Sequence, residues 1–340
     1  MNVAIIRFSA LGDIILSAVF LPFIREHYPQ VRIHWFVDTI FAPILLHSPY
    51  IDHLHIIPYK QTLHTKNPLQ IWNFYRNLKQ HTEDFDVLID MQGLLKSALF
   101  GACVRKKAFV GFDISSIKER LASLFYSHKV TIPYSTHILK RNQAILEHGF
   151  NMLNTCIWDH ALEMRHSAFY LPSCPQLHSL FKGTRPKILF VLEASTPNKM
   201  YPWQHFAQVG RLLQNKDVEI VILWHAHFKH AQALYDALKS RMPTILLPPL
   251  KLEEIKTLVS LVHVVVGGDT GIVHLAWALQ IPSVTLYGNT PKTRFALEGY
   301  AQIALVGNAH ANYSKRDFSI QRISPQQVAQ AIIQLIEKKS

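Results

Sequence analysis

Cysteine is scarce: the 340 residues contain three, Cys103, Cys156 and Cys174. They lie far apart with no metal-ligand or redox spacing, which excludes a disulfide framework and makes a reducing cytosol the expected compartment. Long apolar runs are missing as well. No stretch approaches the ~20 residues that cross a bilayer, so membrane contact is expected to be peripheral. Met1 to Arg7 lacks the charged leader, apolar core and small-residue cleavage site of a signal peptide and reads as a first strand. Acidic residues are in short supply, with Asp plus Glu at 23 against 35 for Lys plus Arg, leaving a net charge of +12. An excess of that sign points to phosphates, nucleic acid or an acidic membrane surface.

What is present is a globular composition, 49% hydrophobic and 17% charged, in a chain long enough for two domains with separate cores. Short β-branched runs alternate with longer helical stretches, the pattern of parallel sheets covered by helices. In the first half, strands are expected at Val3 to Phe8, Arg32 to Val37, His53 to Ile57, Asp86 to Asp90 and Ala108 to Phe112. Between about Cys156 and Arg185 the periodicity fades around Pro172, Pro175 and Gly183. The second half then offers strands at Lys187 to Leu192, Val218 to Leu223, Thr244 to Leu246, His263 to Val266 and Ser283 to Tyr287. Pro202 suits a first helical turn, and Ser324-Pro325 should cap a terminal amphipathic helix. The expected organisation is a doubly wound domain over 1–165, a linker over 166–186, and a second doubly wound domain over 187–323. A helix over 324–340 is expected to pack back toward the first domain.

Ligands of open parallel sheets sit beyond the carboxyl ends of the strands, so the residues there are the ones to read for chemistry. After the first strand, Ser9-Ala10-Leu11-Gly12-Asp13 leads into an apolar helical stripe. Gly12 permits the tight turn, and a carboxylate at a helix start is favoured by the dipole and the free amides. Asp13 is therefore either a helix cap or a reactive carboxylate. In Val264 to His274, a buried strand, the turn Gly267-Gly268-Asp269-Thr270-Gly271 and a helix start form a phosphate site. The alternative is a glycine-containing turn with Asp269 as cap. Lys199, with Ser195 and Thr196, follows another strand and suits a diphosphate as a compact charge with hydroxyl donors.

Two constellations carry less. Asp84-Phe85-Asp86 has the spacing of a metal-holding carboxylate pair but precedes its strand, at the wrong end of the sheet. His225, His227 and His230 do not share one helix face and read as loop or surface histidines. Basic residues gather at Lys60, His64 and Lys66, and again at Arg105, Lys106, Lys107, Lys118 and Arg120. Tyr59, Trp72, Phe74 and Tyr75 could stack single-stranded bases, but no nucleic-acid-binding motif appears, and a phosphorylated acceptor matches better.

Four segments, Ser9 to Asp13, Gln92 to Ala98, Leu121 to Tyr126 and Gly268 to His274, resemble the bacterial lipopolysaccharide heptosyltransferases of glycosyltransferase family 9, in matching order over nearly the whole chain. The resemblance implies an α/β protein of GT-B fold, two doubly wound Rossmann-like domains facing a central cleft. It implies inverting transfer, without metal or cofactor, from ADP-L-glycero-β-D-manno-heptose to the Kdo of Kdo-lipid A. The place would be the cytoplasmic face of the inner membrane, with an anionic membrane surface and no nucleic acid as partner. Asp13 matches the family's base. Ser195, Thr196, Lys199, Asp269, Thr270, Gly271 and His274 match its donor ligands, and Leu250 stands beside the adenine. Ser9, Ala10, Gly12, Lys60, Gln92, Gly93, Lys96, Lys118 and Arg120 form the implied acceptor set. Lys229 aligns with a ribose-binding glutamate, a departure that His225 or His227 would have to offset. Lys118 stands where an arginine is usual, keeping charge but losing the bidentate fork. The competing expectations are a family member with a later core acceptor, a nucleotide-sugar epimerase on the same architecture, and a basic binder of nucleic acid or membrane.

Overall fold

The computed structural model describes residues 1–64, 83–181, 183–297, 299 and 301–338. Lys66, Trp72, Phe74 and Tyr75 lie outside the described residues. Two compact units divide the chain, Met1–Tyr170 and Leu171–Ser340. The interval read as a linker holds a short 3-10 turn at Arg165–Ala168 and a helix at Pro175–Leu180.

In the first unit, β1 (Asn2–Ile6), β2 (Arg32–Asp38), β3 (His53–Ile57), β4 (Phe85–Asp90), β5 (Lys106–Phe112) and β6 (His128–Val130) form one sheet in the order β3-β2-β1-β4-β5-β6. Every pairing is parallel. Parallel sheets are covered on both faces, so the central strands read as apolar runs: Val3, Ala4, Ile5 and Ile6 are fully buried beside Leu88 and Ile89.

The second unit repeats the plan with β7 (Lys187–Val191), β8 (Glu219–Leu223), β9 (Thr244–Leu246), β10 (Val264–Gly268), β11 (Ser283–Tyr287) and β12 (Gln302–Val306), all parallel, in the order β12-β11-β10-β7-β8-β9. Ile188, Phe190, Ile220, Ile222, Val264 and Val266 lead its core. The terminal helix Pro325–Glu337 starts as its sequence requires. The Ser324 hydroxyl accepts the Gln327 amide at 3.2 Å, and the Gln327 side chain accepts the Ser324 amide at 3.0 Å, a reciprocal cap. Its Val328, Ala329, Ile332 and Leu335 are buried in the core of the second unit, packed with the helix Trp203–Leu213. These contacts lie within the second unit.

In each unit the strand order reverses beside its first strand. Chain connections leave in opposite directions at such a point and open a crevice at the carboxyl ends. The crevices lie between β1 and β4 in the first unit and between β7 and β10 in the second.

Candidate active-site residues in the two units

In the first unit the loop after β1 leads into the helix Leu11–Ala18, with Asp13 in its first turn. Asp13 Oδ2 accepts the Ala10 amide at 3.3 Å, satisfying one of the helix's unpaired donors. Its other oxygen lies 3.1 Å from a guanidinium nitrogen of Arg7, whose side chain is buried while that of Asp13 is 35% exposed. Arg7 also donates to the Met91 carbonyl beyond β4. Asp13 is thus a helix-start acceptor and a solvent-accessible carboxylate held in orientation, so the two sequence readings are compatible. Arg7 was not singled out from sequence, because an arginine at a strand end reads as solvated until it is seen to be buried.

Across the crevice, Gln92 Oε1 accepts the Ser9 amide at 3.2 Å. The loop carrying Gln92 and Gly93 is built around Asp90, a fully buried carboxylate at the end of β4. It accepts from the Gln92 amide (2.9 Å), the Gly93 amide (3.1 Å), the Ser97 hydroxyl (2.8 Å) and the Tyr126 hydroxyl (2.8 Å). Burial pushes the Asp90 acid up, and the four donors oppose that without cancelling it. Gly93 sits at φ +64°, and a Cβ there would lie 3.2 Å from Ile117 Cγ2. Ser9, Ala10, Gly12, Asp13, Gln92 and Gly93 therefore occupy the loops bounding one crevice. Lys60 lies beyond β3, its amide donating to Asp38 at 2.7 Å and its side chain exposed. Lys96, Lys118 and Arg120 are exposed near the helix Leu95–Cys103 and the 3-10 helix Arg120–Phe125. Lys118 lies over the Tyr134 ring, 5.2 Å from its centroid.

In the second unit the loops after β7 and β10 meet through Asp269. Lys199 Nζ donates to Asp269 Oδ2 at 2.6 Å, and His274 Nε2 lies 3.1 Å from Asp269 Oδ1. Burial raises the Asp269 acid, but the His274 hydrogen bond and the Lys199 charge outweigh it and hold the group well below the usual carboxylate range. Gly268 is required: a Cβ there would lie 2.0 Å from the Lys199 carbonyl oxygen. Thr270 caps the helix Gly271–Ala278. Its buried hydroxyl and His274 Nδ1 have no hydrogen-bond partner among the described residues, and the first-turn amides of such a helix lack intrahelical acceptors. Thr196 donates to Asn198 at 2.7 Å, and the Asn198 and Asn289 amides both donate to the Ser314 carbonyl, at 3.1 and 3.3 Å. The loops after β7 and β11 are thereby joined, with Ser195 exposed beside them.

Lys229 is exposed on the helix Phe228–Leu238, and Leu250 is half-buried. The carboxylate at this strand end comes instead from Glu193, after β7. It accepts the amides of His225 (2.8 Å), Ala226 (2.9 Å) and His227 (2.8 Å). Partial burial pushes its acid up, but those three donors outweigh burial and the net shift is downward. Glu193 was not singled out from sequence, because a carboxylate's reach to the neighbouring strand is not encoded by spacing.

The other acidic and histidine clusters are occupied differently. Asp86 accepts the Asn2 amide at 2.8 Å and pairs with Lys107 at 2.7 Å, and Asp84 pairs with Arg105 at 3.1 Å. His227 and His230 stack with centroids 5.5 Å apart. Among the described residues, no group of three or more His, Cys, Asp or Glu is placed to hold a metal.

Twin doubly wound sheets, with a glycine-containing turn and a helix start at the switch point of the second, define the architecture of a two-unit α/β protein. The pattern of glycosyltransferase family 9 (heptosyltransferase) matches residues 71–325. The chain belongs to this family and is a glycosyltransferase. A relative, lipopolysaccharide heptosyltransferase 1 of Campylobacter coli, is 31% identical over 348 aligned positions, covering 98% of this chain and 99% of the relative. The Escherichia coli heptosyltransferase WaaC, solved with ADP, superposes with a TM-score of 0.78 at 22% identity, covering all of both chains. A family 9 glycosyltransferase of Veillonella parvula superposes with a TM-score of 0.79 at 16% identity, covering 99% of this chain and 97% of that one. These superpositions establish the GT-B fold.

Proposed function

We propose that the protein transfers L-glycero-D-manno-heptose from ADP-heptose to the Kdo of Kdo-lipid A in lipopolysaccharide core synthesis, with inversion and without metal or cofactor. The observation that carries this is the Lys199–Asp269–His274 arrangement with Thr270 at the β7/β10 switch point. It supplies a fixed cation, hydroxyl and amide donors for a diphosphate. The relatives named for lipopolysaccharide heptose transfer and the neighbour solved with ADP supply the donor class.

In this reading the second unit holds the donor. Lys199, Thr270 and the amides after Gly271 stabilise the charge that develops on the leaving diphosphate. Asp269 holds Lys199 and His274 in place, Ser195 and Thr196 add hydroxyl donors, and Leu250 packs beside the base. Lys229, exposed at the start of the helix Phe228–Leu238, is assigned to the nucleotide's polar groups. The first unit holds the acceptor, with Ser9, Ala10, Gly12, Gln92 and Gly93 framing the sugar and Lys60, Lys96, Lys118 and Arg120 meeting its anionic groups. The acceptor hydroxyl attacks the anomeric carbon. Its proton passes to Asp13, the bond from that carbon to the diphosphate oxygen breaks, and ADP leaves with the electron pair. A positioned base of this kind contributes about 10² to 10⁴-fold. Peripheral residence at an anionic membrane follows from the nature of the acceptor.

The test is incubation with ADP-heptose in the presence of a chelator. Stable donor without acceptor, and α-linked product with ADP released when Kdo-lipid A is added, are expected. Conversion of the sugar without acceptor would mark an epimerase, and loss of activity with chelator would refute the metal-free mechanism.

A further inference from the structure

The connection between β5 and β6 presents large apolar side chains to water. Ile114 is 47% exposed, Leu121 61%, Leu124 69% and Phe125 37%. Leu99, on the adjoining helix Leu95–Cys103, is 39% exposed. Scattered exposed leucines are ordinary, but Leu121, Leu124 and Phe125 share one short 3-10 helix that the helix carrying Leu99 contacts, and apolar side chains grouped in this way mark an interaction surface. The display is built rather than loose. Ala122 and Ser123 are buried beneath the 3-10 helix. Tyr126, which closes it, donates to the buried Asp90 at 2.8 Å, and the Glu119 carboxylate accepts the Leu95 amide at 2.7 Å. Such anchoring points one side of the turn inward and leaves Leu121 and Leu124 outward.

Cations flank these side chains. Lys96, Lys118 and Arg120 are all exposed, against Glu119, whose carboxylate is engaged by an amide. Apolar side chains interleaved with lysine and arginine are the composition of segments that lie in the interface of an anionic bilayer. The same Asp90 that anchors Tyr126 also shapes the Gln92–Gly93 loop, so the patch is mechanically joined to the loop assigned to the acceptor.

We propose that Leu99, Leu121, Leu124 and Phe125 form the membrane-docking surface of this protein and insert into an anionic lipid surface, while Lys96, Lys118 and Arg120, the cations assigned to the anionic groups of the lipid-borne acceptor, also attract the headgroups around it. The inference deepens the reading of a lipid-borne acceptor and rests on it for its biological purpose, but its physical test does not use donor or acceptor. Each cation near an anionic surface raises partition about fivefold, and each leucine side chain withdrawn from the interface lowers it severalfold.

The experiment is co-sedimentation of the full chain with vesicles of phosphatidylcholine, with and without phosphatidylglycerol. The native protein should partition onto the anionic vesicles, more weakly at high salt, and poorly onto phosphatidylcholine alone. The double variant Leu121→Ser, Leu124→Ser should lose about tenfold or more in partition, with its thermal midpoint and its turnover of a water-soluble acceptor unchanged. Undiminished vesicle binding by the variant would overturn the proposal. So would absence of binding by the native protein, or a native self-association that the variant abolishes in sedimentation velocity, which would make the patch a subunit contact. ADP binding, measured separately by calorimetry, reports on the functional reading alone, so the two can fail independently.

Discussion

At the scale of single residues, the second unit's site hinges on the Asp269 carboxylate, which holds both Lys199 and His274. Asp269 is buried, and its folded acid lies well below the ordinary carboxylate range, so the stability it contributes is present above that range and is lost as pH falls. Lys199→Met removes its cationic partner and should cost about 3 kcal/mol, the lower end for a broken buried pair because Lys199 keeps some contact with water. Adding Asp269→Asn should restore most of the thermal midpoint, while calorimetry with ADP should still show weakened binding. Recovery of both would make Lys199 structural only. Asp13→Asn keeps the side chain's shape and one acceptor oxygen, for either Arg7 or the Ala10 amide, and should lower turnover about 10² to 10⁴-fold with donor affinity unchanged. A loss confined to KM would reassign Asp13 to binding.

A third residue-scale prediction concerns His34, fully buried on β2. Burial, then the neighbouring His55 and His53, lower its pKa to about 4, with Glu83 and Asp52 opposing. The fold therefore holds it neutral, so its contribution to stability is kept above the free-histidine value near 6.5 and is lost as pH falls toward 4. The slope is at most about 1.4 kcal/mol per pH unit. Urea midpoints followed from pH 7 to 4 should drop more steeply in the native chain than in His34→Gln. Parallel curves would refute this.

At the scale of elements, the central strands were legible because two-sided burial writes itself as runs such as Val3 to Ile6 and Val264 to Val266. Edge strands leave weaker marks. In β6, three residues long, His128 and Lys129 are exposed, which leaves too little apolar signal to be read; β12 carries the apolar run Ile303 to Val306 but is only partly buried, and it was not picked out as a strand. The strand-end loops were legible as places but not as partnerships: Ser9 and Gln92 are 83 positions apart, and Lys199 and Asp269 are 70. Only strand order joins them. The carboxylates of Asp90 and Glu193 act at this same scale, each organising a loop through backbone amides. Glu193→Ala should free three amides at the start of the helix Phe228–Leu238 and cost roughly 1 kcal/mol, the usual worth of a helix cap. Faster hydrogen exchange confined to residues 225–231 would support that, and unchanged exchange there would contradict it.

At the scale of the whole molecule, an excess of positive charge said only that partners are anionic. In the proposed reading that statement divides: the diphosphate is assigned to Lys199 and Thr270 of the second unit, and the exposed Lys96, Lys118 and Arg120 of the first unit to the acceptor and the lipid surface. The sugar's identity was never legible in periodicity or charge. Its proposal rests on family membership and on the Lys199–Asp269–His274 arrangement, whose parts lie on two separate strand ends. ADP at a hundredfold excess over its Kd should stabilise the protein by about 2.7 kcal/mol, with hydrogen-exchange protection concentrated at residues 193–199 and 268–274.

The central claim is that one heptose moves from ADP to a Kdo-bearing lipid, and mass spectrometry of Kdo-lipid A after incubation with the protein and ADP-heptose tests it most directly. A gain of one heptose, with stoichiometric ADP, is the expected result. An unmodified acceptor beside intact donor, or donor consumed without transfer, would contradict the account.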